Sequence, residues 1–164
     1  MAETTNGFRD EFFFLSNFYE APVTIEYENR KFTLPTGEHL FQGMKVAAAL
    51  NPKDNVSALQ RLEQAPTPGK AKYWGRSIRI DVPLWDSMSL RCMRRTLELK
   101  FSQHPDLMEK LLSTGDMVLV EYNDWKDTLW GVDQKTRNGK NQLGKLLMEL
   151  RQNAMNNSFV RNNV

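Results

Sequence analysis

The sequence predicts an α+β fold, a helix-rich domain with a small β-sheet, and three observations carry that prediction. Two short runs of alternating apolar residues, Val23, Ile25, Tyr27 and then Phe32, Leu34, flank a polar Glu28-Asn29-Arg30 loop, as a β-hairpin requires. Most of the remaining chain repeats its apolar residues at helical spacing, punctuated by proline, glycine and capping residues. With 164 residues, 40% of them hydrophobic and 10% aromatic, the chain has enough core material for one domain and too little length for two.

The elements follow in order. Met1 to Asp10 is polar and is expected to be flexible. The hairpin spans Pro22 to Pro35. Thr36 is placed to cap a helix from Gly37 to Leu50, which carries Leu40, Phe41, Met44, Ala47 and Ala48 inward and is stopped by Asn51-Pro52. A second helix is expected over Lys53 to Gln64. Thr67-Pro68 reads as a cap followed by proline at the first helical position, opening a short helix to about Trp74. Asp81 and Pro83 open a long one to about Gln103, with Trp85, Met88, Cys92 and Leu99 near one face and Met93, Leu97 and Phe101 adjoining. Pro105 starts a further helix that Gly115 ends. Met117 to Tyr122 reads as a strand. Asn123 to Lys140 reads as a long loop of the kind that carries function. Asn141 caps a last amphipathic helix with Leu143, Leu146, Leu147 and Leu150 inward. Residues 153–164 are expected to be a flexible tail, which leaves 11–152 as the folded domain.

The longest strongly apolar runs, Phe12 to Leu15 and Val46 to Leu50, fall far short of the ~20 residues of a membrane span, and no charged-then-apolar leader opens the sequence. The expectation is a soluble, cytoplasmic protein with no membrane partner; oligomeric state is left open. One cysteine, Cys92, cannot make an internal disulfide, and with only His39 and His104 beside it a Cys/His metal site is not expected. Net charge is +2, but Lys70 to Lys100 holds eight basic residues against three acidic ones, so that segment is +5 and the remainder −3. A solvated helix face accounts for such a run; so does a phosphate-bearing ligand.

Glu38, Phe41, Gln42 and Lys45 stand at i, i+3, i+4 and i+7, and so share one face of the expected helix. A carboxylate, an amide and an amine thus converge on a segment that Leu40, Met44 and Val46 make apolar nearly all round. Buried charges need a partner or a purpose. His39 reads as a satisfied structural residue, and Cys92, between Met88 and Met93, as core. No serine has a nucleophile-elbow context, and the glycines from Gly131 to Gly144 do not form a phosphate-cradling loop. Spacing alone gives a site without a reaction.

Leu15-Ser16-Asn17-Phe18-Tyr19, Glu38-His39-x-Phe41-Gln42-x-x-Lys45, Ala71-Lys72-x-x-Gly75-Arg76, Trp85 with Met93, Leu97-x-x-Lys100-Phe101, Leu111-Leu112-x-Thr114-Gly115, Glu121, Trp130-Gly131 and Gly139-x-Asn141-x-Leu143-Gly144-x-Leu146-Leu147-Met148-x-Leu150-Arg151 follow one another. In this order they resemble the NADAR superfamily, the YbiA-like proteins, from about Phe14 to Arg151. Two positions depart from the pattern: Arg91 stands where relatives commonly have lysine, and Trp130-Gly131-Val132-Asp133 replaces Trp-Gly-x-Gly.

The resemblance implies a metal-independent N-glycosidase, with no cofactor, acting on phosphorylated ribose compounds. Its first expected substrate is ADP-ribose on guanine in nucleic acid or a guanine nucleoside. The alternatives are phosphoribosylamino-pyrimidine intermediates of riboflavin synthesis, and a catalytically idle ADP-ribose-binding module. Cleavage of a ribose C–N bond can use a carboxylate to stabilise an oxocarbenium-like centre or to move protons, and an amine to form a Schiff base on the opened sugar. With the resemblance pointing the same way, Lys45 is the expected nucleophile and Glu38 the acid/base. Phosphates then call for Lys72, Arg76, Arg91 or Arg94. The heterocycle calls for Phe18, Trp85 or Trp130, with Gly131 beside it. Asn17, Gln42 and Asn141 complete the expected ligand contacts.

Overall fold

A computed structural model describes residues 2–162, and side chains as far as Ser158. The chain divides into two units, one from Asn17 to Gln103 and one built from the segments up to Ser16 and from His104 onward. The architecture is α+β, as the sequence predicts.

The first unit opens with the hairpin of β1 (Glu20–Tyr27) and β2 (Arg30–Thr36), paired antiparallel with Tyr27 opposite Arg30. Its loop is only Glu28-Asn29, both at positive φ (49° and 60°), the turn geometry whose twist matches that of paired strands. The register breaks between Glu20 and Val23, where Pro22 has no N–H to offer a ladder. Alternation is strict enough that Val23, Phe32 and Leu34 point inward, joining Leu40, Leu59, Leu62, Ala65 and Ala71 in one core.

Thr36 caps α1 (Gly37–Gly43) by accepting from the His39 N–H. This helix is shorter than the periodicity suggested. From Met44 to Ala48 the chain tightens into a 3-10 turn. The reason is tertiary: Asp81 N–H bonds to the Ala48 carbonyl, Leu50 N–H to that of Arg79, and Ala49 bridges Ile80 antiparallel. The backbone is committed to extended pairing before another α-helical turn can close. A 3-10 turn at Pro52–Asp54 leads into α2 (Asn55–Glu63). Gly43 lets α1 and α2 approach, since a Cβ there would stand 3.1 Å from Leu59 Cδ2. Next, α3 (Pro68–Gly75) is capped by Thr67, which accepts from the Lys70 N–H. The helix α4 (Val82–Gln103) is about 33 Å long at 1.5 Å per residue. Asp81 Oδ1 accepts from the Leu84 N–H at its start. Its first half stays largely exposed; its second half buries Cys92, Met93, Thr96, Leu97, Lys100 and Phe101. Trp85, Met88 and Leu99, expected on the inner face, are only half-buried.

In the second unit a 3-10 turn at Asp10–Leu15 is followed, after the break in sequence, by α5 (Pro105–Ser113), β3 (Tyr122–Asn123), β4 (Val132–Asp133) and α6 (Gln142–Asn162). Three expectations change here. The first ten residues are not loose throughout: Thr4 bridges Val118, and Thr5, 2% exposed, exchanges hydrogen bonds with the Val120 backbone through its hydroxyl. The strand expected over Met117 to Tyr122 shrinks to that bridge and the two-residue parallel pair of β3 with β4. Residues 153–162, expected as part of a flexible tail, continue α6; the last two residues lie outside the described range. Arg151 anchors α6 by donating to Thr114 Oγ1 (2.8 Å) and the Met117 carbonyl (3.0 Å).

Candidate functional site

Every residue of α1 is buried, so its polar side chains must find partners inside the unit. Gln42 Nε2 donates to Glu38 Oε1 at 2.7 Å, the i, i+4 contact that helical spacing predicts. Lys45 lies beyond the end of α1, in the 3-10 turn, and its Nζ donates to the Gly75 carbonyl at 3.2 Å. Gly75 is also where Gln42 rests: a Cβ on it would collide with the Gln42 amide. Thus α3 ends against the face carrying Glu38, Gln42 and Lys45, and glycine there is a steric requirement.

Burial lowers the Lys45 pKa from its ordinary 10.5; Glu38 works against this, while Arg76 and Lys72 add to the lowering. Two cations and one carboxylate thus act electrostatically on one amine. Of the four expected phosphate ligands, Lys72 and Arg76 belong to this group. Arg91, exposed, and Arg94, half-buried, stand on α4.

Three further candidates belong to this unit, and two of them, Asn17 and Trp85, contact α1. The Asn17 carbonyl accepts from the Glu38 N–H at 2.9 Å, and its Nδ2 contacts Met93 Sδ at 3.1 Å. Asn17 and Gln42 are 6% and 5% exposed, and no group of the described chain donates to Asn17 Oδ1 or Gln42 Oε1. Both oxygens are packed against glycines, Asn17 Oδ1 against Gly37 and Gln42 Oε1 against Gly75. Phe18 is 43% exposed and offers a flat apolar surface. The ring of Trp85 packs on Phe41, with centroids 5.5 Å apart and planes at 47°.

The remaining candidates, Trp130, Gly131 and Asn141, belong to the other unit. Asn141 does not cap α6 with its side chain and is not open to a ligand: Oδ1 accepts from the Glu121 N–H at 3.1 Å and Nδ2 donates to the Leu119 carbonyl at 2.9 Å. Gly131 is packed against the Glu121 carbonyl and Asn123, and the Trp130 N–H bonds to Asp127 Oδ1 at 2.9 Å. Glu121 itself had no assigned role. Its Oε2 is buried without a donor, and burial pushes its pKa up to about 7.

His39 is structural, as expected. Its Nε2 lies 2.9 Å from the Ala65 carbonyl and its Nδ1 2.8 Å from Thr36 Oγ1, consistent with the Nε2–H tautomer, and burial lowers its pKa. Cys92 is buried and its thiol pKa is raised by desolvation, the opposite of an activated nucleophile. Sequence reasoning missed two residues. Gly75 gave no signal beyond its place in a motif. Lys100, counted among the cations of the basic segment, is 0% exposed and its pKa is lowered to about 7 by burial.

The NADAR domain model matches residues 5–154. The chain belongs to the NADAR family. N-glycosidase YbiA of Escherichia coli K12 is 36% identical over 146 residues, covering 87% of this chain and 82% of that protein. A riboflavin biosynthesis protein of Zea mays, the chloroplastic PYRR, is also 36% identical over 148 residues, but the chain spans only 23% of its length. The NMR structure of E. coli YbiA superposes with a TM-score of 0.75 at 31% identity, covering 97% of this chain and 89% of that one. The α+β arrangement is therefore that of a NADAR protein. Among the described residues no helix is long and apolar enough to cross a membrane.

Proposed function

We propose that this chain is an N-glycosidase that hydrolyses the C–N bond of a phosphorylated ribosyl-amine, with Lys45 as nucleophile and Glu38 as acid/base. One observation carries the reading: the Lys45 amine is held by the Gly75 carbonyl, pushed toward its neutral form by burial, and grouped with Glu38, Lys72 and Arg76. The neutral amine attacks the anomeric carbon of the ring-opened imine. Glu38 delivers a proton to the departing amine, and the C–N bond to the base breaks as a protonated Schiff base forms on Lys45. Water then adds to that carbon and gives a proton to Glu38. Collapse of the carbinolamine returns the sugar aldehyde and the free amine. Lys72 and Arg76 hold the phosphate, and Gln42 holds the Glu38 carboxylate in place. A flat ring stacks on Phe18 or Trp85.

Two substrates fit this chemistry. The maize relative named for riboflavin biosynthesis favours a phosphoribosylamino-pyrimidine. ADP-ribose on guanine, the first expectation from sequence, carries a second phosphate, for which Arg91 and Arg94 are the remaining candidates. An idle ADP-ribose reader would have no use for a half-buried amine whose pKa is set by burial, two cations and a carboxylate. The test is a side-by-side assay of base release from both compounds. Turnover of the pyrimidine at least ~10-fold faster assigns the phosphoribosylamino-pyrimidine, and the reverse order assigns ADP-ribosyl-guanine. Binding without release of either base makes the protein a reader and overturns the enzymatic proposal.

A further inference from the structure

A cavity of about 390 Å³ opens in the Asn17–Gln103 unit, and none of the residues assigned to the Glu38–Lys45 face lines it. Its size lies within the range of small-molecule sites. One wall is the outer face of α2 with Asp54 just before its first turn, so that Asp54, Ser57, Ala58 and Arg61 fall at spacings of three and four. The facing wall is the segment after α3, with Ile78 and Arg79.

The walls are fixed by the fold. Arg79 offers its carbonyl to the Leu50 N–H at 2.9 Å, and Ser77 Oγ donates to the Trp74 carbonyl at 2.6 Å. Asn55, at the buried base of the cavity, donates to Tyr27 Oη (2.9 Å) and the Val46 carbonyl (3.2 Å). The Arg61 guanidinium sits 4.9 Å from the Trp74 ring centroid, which fixes its plane. Among the described residues neither Arg61 nor Arg79 is paired with a carboxylate.

We infer that this cavity is a binding site for a sugar monophosphate. Two guanidinium forks with no carboxylate partner match the ~−2 charge and the oxygens of a phosphomonoester. Asp54 is the one acid in the lining. Its Oδ2 already accepts from Asn51 Nδ2 at 2.6 Å, which leaves Oδ1 as an acceptor for sugar hydroxyls. Ala58 and Ile78 supply an apolar floor for the sugar's carbon face. A bare anion would be repelled by Asp54, whereas a phosphorylated polyol uses all three charged groups. The inference rests on this lining alone and does not depend on the catalytic reading.

The test is titration with ribose 5-phosphate, inorganic phosphate and ribose, followed by backbone amide chemical shifts. A Lys72→Gln/Arg76→Gln background keeps the other cationic cluster out of the measurement. The expected result is saturable shifts at Ser57, Ser77 and Ile78, with ribose 5-phosphate bound at least ~10-fold more tightly than either fragment. Arg61→Gln/Arg79→Gln, both exposed positions, weakens binding at least ~10-fold while the free variant keeps its amide spectrum. Asp54→Asn narrows the preference for the sugar phosphate over phosphate. No saturable shifts at these amides, affinity unchanged by the arginine pair, or equal affinity for inorganic phosphate each overturns the proposal.

Discussion

Lys45 Nζ donates to the carbonyl oxygen of Gly75 at 3.2 Å, across 30 residues of sequence. The bond ties the 3-10 turn after α1 to the end of α3 and fixes the amine whether or not it is protonated. The same glycine supports the Gln42 amide, so one residue positions both Gln42 and Lys45.

Gly75→Ala therefore tests the arrangement without removing a functional group. The new Cβ displaces the Gln42 side chain and breaks its bond to Glu38. The expected cost is about 1–3 kcal/mol of stability, the usual range for overpacking, read from the urea midpoint. Turnover should fall by more than that loss of folded protein explains. Gly69→Ala, where the nearest atom is Thr67 Oγ1 at 3.9 Å, serves as the control and should leave both values near those of the parent.

The pH profile carries a second prediction. If the neutral Lys45 amine attacks, kcat rises with pH through a pKa below the ordinary 10.5. Arg76→Gln and Lys72→Gln each remove a cation that contributes to the lowering, so the rising limb should move to higher pH. Initial rates at saturating substrate check this. A limb that does not move in either variant contradicts the assigned grouping.

Two buried groups make stability depend on pH in opposite senses. Lys100 has a folded pKa of about 7 against an ordinary 10.5, so the unfolded chain binds more protons in that window and stability rises with pH across it. Glu121 has a folded pKa of about 7 against 4.5; here the folded chain binds more protons, and stability falls as pH rises from 4.5 toward 7. Urea midpoints should show a shallower rise above pH 7 in Lys100→Met and a shallower fall below it in Glu121→Gln.

The sequence made the hairpin, the Thr36 and Thr67 caps and the long α4 legible because each rests on local chemistry: alternation, a side-chain acceptor, a proline at the first turn. It overextended α1 because the 3-10 turn that holds Lys45 is imposed by pairing with Arg79 to Asp81, more than thirty residues on. Asn141 shows the same limit. Its position before α6 suggested a cap or a ligand contact, while its amide serves the distant Leu119–Glu121 backbone. Glu38, Gln42 and Lys45 were recognisable as one polar face from spacing and family likeness. Gly75 was not, because its role is a steric contact with Gln42 that no periodicity encodes.

The central claim is that the reaction passes through an imine on Lys45, and borohydride trapping tests it most directly. Reduction during turnover should convert the Schiff base to a stable amine and leave protein heavier by one reduced sugar phosphate of the substrate. Peptide mapping should place it on Lys45, and Lys45→Ala should abolish it together with turnover, by at least ~100-fold. Substrate consumed with no adduct, or label only on exposed lysines such as Lys135 or Lys140, would contradict the account and leave direct attack of water assisted by Glu38.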